Sequence, residues 1–400
     1  MFERIRRVPS TIWALGLVSM FMDISSEMVH SLLPVFLVVS LGASPALVGL
    51  IEGIAEATAS ITKVFSGWLS DRLGRRKLLT VLGYGLAAIT KPIFPFAVTP
   101  CEVLAARFMD RIGKGLRDAP RDALVADVTP EKLRGAGFGL RQSLDTVGAF
   151  VGPLLAVGLM VVLNDNMRTV FAFAVIPATI AVVLLVLGVK EPSGAKQPKN
   201  AKSSISWSEV RSIGAPFWLA VAVGVLFSMA RFSEAFLVLR GRDAGIPLTL
   251  VPVVLIVMNV VYAIVSAPVG SLSDTLGRKT LLASGIGVLI IADLVLALVG
   301  NIAGVLIGVA LWGLHLGLTQ GLLAALVADT APVRLRGTAF GLFNLATGVT
   351  MLAASVLAGA IWSSRGSSLT FLTGGGFALV ALIGVLNLLK DRRSKEEVEV

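Results

Sequence analysis

The sequence predicts an all-α polytopic membrane protein with twelve transmembrane helices in two six-helix lobes. Three observations lead to this prediction: an apolar composition, regularly spaced uncharged runs, and an internal repeat. Hydrophobic residues make up 55% of the 400 residues, only 15% are charged, and the mean hydropathy is +0.86. A soluble domain usually has about 25% charged residues. A chain this apolar is therefore expected in a lipid bilayer.

Uncharged runs bounded by glycine, proline and charged residues predict the individual spans. The run TVFAFAVIPATIAVVLLVLGV (169–189) has the length of about 20 residues that crosses a hydrocarbon core of about 30 Å. The alternating pattern of an outer-membrane barrel is absent from the sequence. The expected spans are 12–41, 45–69, 78–98, 101–128, 136–163, 169–189, 216–239, 248–271, 279–299, 302–329, 337–361 and 369–389.

The distribution of basic residues predicts the orientation. With the N-terminus inside, 22 of the 35 Lys and Arg residues fall in cytoplasmic segments and 4 in outside loops. Positive charge is retained on the cytoplasmic side of polytopic proteins. Both termini are therefore expected in the cytoplasm, with the protein in the cell inner membrane. The net charge of +10 then requires no nucleic-acid partner.

The second half of the chain repeats phrases of the first half. GWLSDRLGRRK (67–77) returns as GSLSDTLGRKT (270–280), and ALVADVTPEKLRGAGFGL (123–140) returns as ALVADTAPVRLRGTAFGL (325–342). Ordered matches at a nearly constant offset indicate a duplicated half. An even number of spans per half relates the copies by a pseudo-two-fold axis along the membrane normal. The expected parts are an N-terminal lobe at 1–189, a cytoplasmic linker at 190–215, and a C-terminal lobe with a short cytoplasmic tail at 216–400.

The repeated loop phrase closely resembles the major facilitator superfamily, and the resemblance covers nearly the whole chain. The family's loop between helices 2 and 3 reads G-x-L-x-D-R-x-G-R-R/K. The resemblance implies the two-lobed fold of this family, transport by alternating access without a cofactor, and a loop that latches one conformation. The latch residues are then Gly67, Asp71, Arg72, Gly74 and Arg75, with Asp274, Gly277 and Arg278 in the copy.

A second resemblance to the family lies in span 5. GAFVGP matches the G-x-x-x-G-P of the family's antiporter motif through Gly148, Gly152 and Pro153, although Leu154 and Leu155 replace the usual following glycines. This match favours proton antiport, and hence export. Close packing between membrane helices is the alternative explanation of the same small residues, and both interpretations remain open.

Ionisable residues within the spans are the candidates for function. Each costs at least about 2.5–3.5 kcal/mol at the helix centre, so it requires a partner or a role. Asp23, Glu27 and His30 are spaced to share one face of span 1. In the family, helices 1, 4, 7 and 10 line the central cavity. The resulting proton-coupling and cavity residues are Asp23, Glu27, His30, Arg107, Asp110, Lys114, Arg117, Arg231, Glu234 and His315.

Two interpretations of these charges remain open. The spans of the first half hold eight acids and eight bases, a balance typical of internal salt-bridge networks. Alternatively, a carboxylate in a poorly solvated site binds a proton in one conformation and releases it in another. Proton coupling is the default hypothesis for Asp23 and Glu27. Methionines beside these acids, together with His30, also allow a transition-metal substrate.

The function predicted from these patterns is secondary active transport of a small solute, with proton-coupled efflux of a small organic compound as the leading interpretation. A transporter of a metal ion or a metal chelate such as a siderophore, and an uptake symporter for a metabolite, are the alternatives. An enzyme is disfavoured, because the sequence has no P-loop, no H-E-x-x-H and a single cysteine. The expected partners are the substrate, protons and lipid; neither a resident metal nor nucleic acid is expected, and the protein is expected to be monomeric.

Overall fold

The architecture is helical throughout the part of the chain that the structure describes. The computed structural model describes residues 8–130, 133–189, 214–276, 278–331 and 335–396. These ranges contain sixteen α-helices, one π-helical segment and one 3-10 turn, and no strand. The prediction of an all-α membrane protein is confirmed.

The helices of the first half occupy the predicted spans 1 to 6. Spans 1, 3 and 6 are each interrupted by a short break, so each contains more than one helix. The helices are α1 Ser10–His30, α2 Leu33–Val35 followed by the π-helical Phe36–Ser40, α3 Pro45–Leu73, α4 Arg76–Thr90, α5 Ile93–Phe96, α6 Pro100–Val128, α7 Arg134–Val162, α8 Met167–Phe173 and α9 Val175–Gly188.

The helices of the second half follow the same order. Span 7 is broken into two helices, and span 8 begins with the 3-10 turn. They are α10 Ala215–Ala230, α11 Ala235–Asp243, the 3-10 turn Leu248–Leu250, α12 Val253–Leu276, α13 Arg278–Leu298, α14 Ile302–Thr330, α15 Arg336–Arg365 and α16 Ser367–Glu396.

Ten of the described helical stretches are long and apolar enough to cross a membrane. The other two predicted spans correspond to α3 and α6, each 29 residues long. At a rise of about 1.5 Å per residue, this length also suffices to cross a bilayer. Their charged residues lower the mean hydropathy of α3 and α6 below that of the other ten stretches.

Local sequence signals explain where the charged helix α6 begins. Thr99 caps it by accepting a hydrogen bond from the Glu102 N–H at 3.3 Å, while Glu102 accepts one from the Thr99 N–H at 3.3 Å. Pro100 occupies the first turn, where its missing N–H costs nothing. This reciprocal capping box satisfies amide groups that the helix itself leaves unpaired.

The described chain groups into two compact units. Unit 1 contains residues 8–43, 54–189 and 247–253, and unit 2 contains residues 44–53, 214–246 and 254–396. Most of the predicted linker, residues 190–213, lies outside the described residues. The domain division inferred from the sequence therefore stays a prediction.

Each unit has a core of its own. In unit 1, α1 packs against α7 and α9, and α4 packs against α6. The core residues there include Ile12, Leu15, Met22, Tyr84 and Leu185. In unit 2, α13 packs against α14 and α16. Aromatic rings in edge-to-face and tilted contact form much of its core: Phe232, Phe236, Trp312, Trp362 and Phe371.

Candidate functional site

The three polar residues of span 1 lie on one face of α1, as their spacing predicts. Asp23 and Glu27 are half-buried and His30 is buried. The Glu27 Oε2 atom lies 3.5 Å from His30 Nδ1. Glu27 therefore has a partner on its own helix.

The glycines of the antiporter-like motif contact α1 at these two carboxylates. A Cβ atom added to Gly148 would lie 2.7 Å from the Met20 carbonyl oxygen and 2.9 Å from Asp23 Cβ. A Cβ atom added to Gly152 would lie 2.7 Å from Glu27 Cβ. Real Cβ atoms essentially never approach within 3.0 Å of such atoms. The motif and the two acids, found separately in the sequence, thus form a single helix contact.

Asp110 is neutralised by a lysine that the sequence analysis did not assign to the site. Lys91 ends α4, and its Nζ atom lies 2.9 Å from Asp110 Oδ1 and 3.1 Å from Ser26 Oγ. The two charged side chains are only 2% and 5% exposed. Lys91 is the only charged residue of span 3, and that isolation was the one available sequence signal.

Most other acids of unit 1 also have a basic partner. These pairs join α6 to α3 and to α7, and some lie within one helix. The pairs are Arg111 with Glu56 at 3.5 Å, Arg121 with Asp118 at 3.8 Å and with Asp122 at 3.2 Å, and Arg141 with Asp122 at 3.6 Å and with Asp145 at 2.8 Å.

Two arginines of α6 are tied to α1 and α4 through Tyr84. The Arg117 guanidinium lies over the Tyr84 ring, 4.5 Å from its centroid. Arg121 donates to Ser19 Oγ at 3.0 Å, and this hydroxyl lies 2.9 Å from the Tyr84 hydroxyl. Arg107, also buried, interacts electrostatically with Asp110. Sequence reasoning did not single out Ser19 or Tyr84, because neither is ionised.

Asp23 and Lys114 differ from the rest of this cluster. Neither has a hydrogen bond or an ion pair within 4.0 Å to any residue that the structure describes. Asp23 interacts electrostatically at longer range with Asp145 and with three cations of α6, namely Arg117, Lys114 and Arg121. Lys114 interacts in the same way with Glu27 and Glu56. The Asp23 carboxylate and the Lys114 ammonium group therefore have no close partner among the described residues, whereas most of the acids around them are paired.

The candidate residues of unit 2 lie near the break between α10 and α11. Arg231 follows the last residue of α10, and its guanidinium lies 5.5 Å from the Phe227 ring centroid. Arg231 interacts electrostatically with Glu234 and with Tyr262. His315 of α14 packs its ring against Phe227, with the centroids 5.4 Å apart. Unit 2 thus collects a smaller polar group than unit 1.

The predicted latch is described only in part. Gly74, with a φ of +63°, forms the tight turn between α3 and α4, and its N–H donates to the Ser70 carbonyl at 3.0 Å. Arg72 and Arg75 are exposed, and Gly67 lies within α3. The remaining members lie outside the described residues or have side chains outside them: Asp71, Asp274, Gly277 and Arg278.

Arg76 is an arginine of the phrase GWLSDRLGRRK that pairs with an acid, whereas the Arg72 guanidinium lies over the Trp68 ring, 5.3 Å from its centroid. Its guanidinium forms an ion pair with Asp127 and donates to the Ala123 carbonyl at 2.8 Å. Asp127 and Ala123 belong to the second repeated phrase of the first half. The two phrases, separated in sequence by residues 78–122, therefore meet in unit 1.

Comparison with known proteins decides the family. The family model described as Major Facilitator Superfamily matches residues 15–346 and 235–399. The chain belongs to the major facilitator superfamily. An uncharacterised MFS-type transporter, MJ1317 of Methanocaldococcus jannaschii, is 30% identical over 385 residues, which are 95% of each protein. The class H tetracycline resistance protein of Pasteurella multocida is 28% identical over 71% of this chain and 72% of its own length.

A solved structure shows the same fold. The crystal structure of a mutant of the nucleoside transporter NupG has a TM-score of 0.79 and covers 94% of this chain and 99% of its own. The identity is 11%, so this likeness concerns the fold alone. The resemblance seen in the sequence is confirmed: this facilitator is a multi-pass integral membrane protein, and its relatives include an MFS-type transporter and a tetracycline resistance protein.

Proposed function

We propose that this facilitator is a proton-coupled antiporter that exports a small organic compound, and that Asp23 is its principal proton-binding residue. The observation that supports this proposal is that the Asp23 carboxylate has no ion pair or hydrogen bond to a described residue, whereas most other acids of unit 1 are paired. It lies in the middle of α1, at the contact with Gly148.

Asp23 differs from most neighbouring acids because it has no ion-pair partner among the described residues. A carboxylate beside a fixed cation is stabilised in its charged form, and protonation would break the pair. Asp110 is held in this way by Lys91, whose Nζ atom lies 2.9 Å from Asp110 Oδ1. Asp23 breaks no ion pair when it takes up a proton. It is therefore the acid of α1 best suited to cyclic protonation.

Lys114 completes the proposed site. It interacts electrostatically with Asp23 and with Glu27, yet it pairs closely with no described residue. When Asp23 loses its proton, the nearby ammonium group can stabilise the new charge. We propose that a change in this pairing links protonation to conformational change. In unit 2, Arg231, Glu234 and His315 are proposed as cavity residues.

The proposed class of substrate and the proposed direction of transport are supported by the relatives and by the GAFVGP motif. The Pasteurella multocida relative is a tetracycline resistance protein. A multidrug resistance protein, MdtH of Aeromonas hydrophila, is 31% identical over 40% of this chain. Together with the GAFVGP match, these support export of an organic compound. We place the protein in the cytoplasmic membrane as a monomer with both termini inside.

The test uses the purified protein in liposomes. A thermal-shift screen of amphipathic organic compounds first supplies a ligand, and its transport is then measured with and without a pH gradient. We expect Asp23→Asn to reduce the rate of gradient-driven transport at least about tenfold, which corresponds to a rise of about 1.4 kcal/mol or more in the activation free energy. Exchange of substrate without a gradient should persist.

Controls separate coupling from other defects. Glu102→Gln removes an exposed acid of the same unit and is expected to leave transport unchanged. Unaltered proton-driven transport in both Asp23→Asn and Glu27→Gln would contradict the proposal. Accumulation in the same direction as the proton gradient would favour the uptake symporter instead.

A further inference from the structure

Asp293 is a buried acid that the proposed transport site does not use. It lies in α13, has no exposed surface, and is the only ionisable residue of Thr280–Leu298. Neither of its carboxyl oxygens has a hydrogen-bond partner in the part of the chain that the structure describes. Buried polar groups are almost always paired, so this carboxyl group requires an explanation.

The space around the Asp293 carboxyl group is formed by glycines of α16. A Cβ atom added to Gly374 would lie 3.0 Å from Asp293 Oδ2, 2.8 Å from the Phe232 ring and 3.4 Å from the Ala230 carbonyl oxygen. A Cβ atom added to Gly375 would lie 3.5 Å from Asp293 Cβ. The carboxyl group is thus placed close to the end of α10.

The helix break supplies a hydrogen-bond acceptor there. α10 ends at Ala230, α11 begins at Ala235, and residues 231–234 are not helical. The last carbonyl groups of a helix have no partner within the helix. In membrane transporters, broken helices place such carbonyls where they hold ions or protons. The Ala230 carbonyl beside Asp293 is in this position.

Arg240, a cation near the end of α13, forms hydrogen bonds with groups other than Asp293. Arg240 of α11 donates to the Leu296 carbonyl at 2.8 Å, to the Val299 carbonyl at 3.4 Å and to Ser367 Oγ at 3.2 Å. It forms no ion pair with Asp293. The apolar part of α16 that packs against α13 has no ionisable residue in its sequence.

The other ionisable groups near the break do not neutralise Asp293 either. Arg231 lies over the Phe227 ring and interacts electrostatically with Glu234. His315 of α14 is buried, and its ring packs against Phe227 and Trp312. No hydrogen bond or ion pair joins the Asp293 carboxyl group to a described residue.

We propose that Asp293 is a second proton-binding site, which holds its proton while the carboxyl group is enclosed as in this structure. An ionised carboxylate without a partner is strongly disfavoured in an apolar interior. The neutral acid carries no such charge, and the Ala230 carbonyl, which borders the same Gly374, is the acceptor that we propose for its O–H. Release transfers the proton to water and leaves the carboxylate, so it requires the α10–α11 break to admit water. This site is independent of Asp23.

Infrared spectroscopy of the purified protein tests the protonation state without any substrate. At neutral pH, we expect a protonated-carboxyl C=O band that shifts in heavy water. The band should be lost in Asp293→Asn but kept in Asp23→Asn and in Asp243→Asn, which removes an exposed acid of unit 2. An unchanged band in Asp293→Asn, or no such band in the wild type, would overturn the proposal.

A second measurement keeps the proposal testable if Asp293→Asn does not fold. Labelling the aspartates of the Asp23→Asn variant with carbon-13 should shift the same band, and a band that stays in place would assign the proton to another residue type. Thermal unfolding adds a check. We expect the wild type to lose stability at alkaline pH more steeply than Asp293→Asn. Stabilisation by sodium ions that requires Asp293 would instead assign the site to a metal cation.

Discussion

The pair between Lys91 and Asp110 shows how single residues hold unit 1 together. Both side chains are almost completely buried, and the Nζ–Oδ1 distance is 2.9 Å. A buried charge is tolerated only while its partner remains, because the desolvation penalty is otherwise uncompensated. The pair thus ties the end of α4 to α6.

Removal of the lysine should therefore destabilise the protein strongly. We expect Lys91→Met to lower the free energy of unfolding by about 3–5 kcal/mol, since it leaves Asp110 buried and unpaired. Thermal unfolding in detergent measures the loss as a lower Tm. Lys63→Met, at an exposed position, is the control and should change Tm little. If Lys91→Met together with Asp110→Leu were no more stable than Lys91→Met alone, this explanation would be wrong.

Residue patterns predict faces well and partners poorly. The spacing of Asp23 and Glu27 placed them on one face of α1, because helical periodicity fixes that relation. It did not predict that Lys91 would reach Asp110, because this requires knowledge of which helices are neighbours. The absence of a partner for Asp293 is likewise invisible in the sequence, since it depends on every group around it.

At the level of helices, the contact between α1 and α7 depends on two glycines. A Cβ at Gly148 or Gly152 would overlap backbone or Cβ atoms of α1. Helices that pack this closely in membranes use small residues at the interface. The contact determines how the face with Asp23 and Glu27 sits against α7.

Substitution of these glycines should separate the two helices. We expect Gly148→Ala and Gly152→Ala each to lower the free energy of unfolding by about 1–3 kcal/mol, as overpacking does. Gly158→Ala on the same helix is the matched control, because a Cβ there meets nothing within 4 Å. Equal Tm values for all three variants would show that α1 and α7 do not need this approach.

Among the properties of the helices, their positions along the chain were the easiest to predict from the sequence. All twelve expected spans coincide with helices or pairs of helices, since long apolar runs leave no alternative in lipid. The breaks were less predictable. The interruption at residues 231–234 contains neither glycine nor proline, so no local signal indicated it.

For the whole molecule, the family assignment implies a conformational cycle, and the loop after α3 is the proposed latch. On the basis of the resemblance, we propose that Asp71 stabilises one state. We expect Asp71→Asn to slow the cycle several-fold with little change in substrate affinity. Rates of gradient-driven transport and of ligand binding, measured on the same preparation, test this. A large loss of affinity at an unchanged rate would remove Asp71 from the latch.

The ion pair between Arg76 and Asp127 has a consequence for the ancestry of the chain. Both repeated phrases meet through it inside unit 1, and the copied half has Lys279 and Asp329 at the corresponding positions, again of opposite charge. The opposite charges in the copied half are those expected if this contact was present before the ancestral gene was duplicated. The charges of the pair were then retained in both halves, while the ionisable residues within the spans became fewer in the copy.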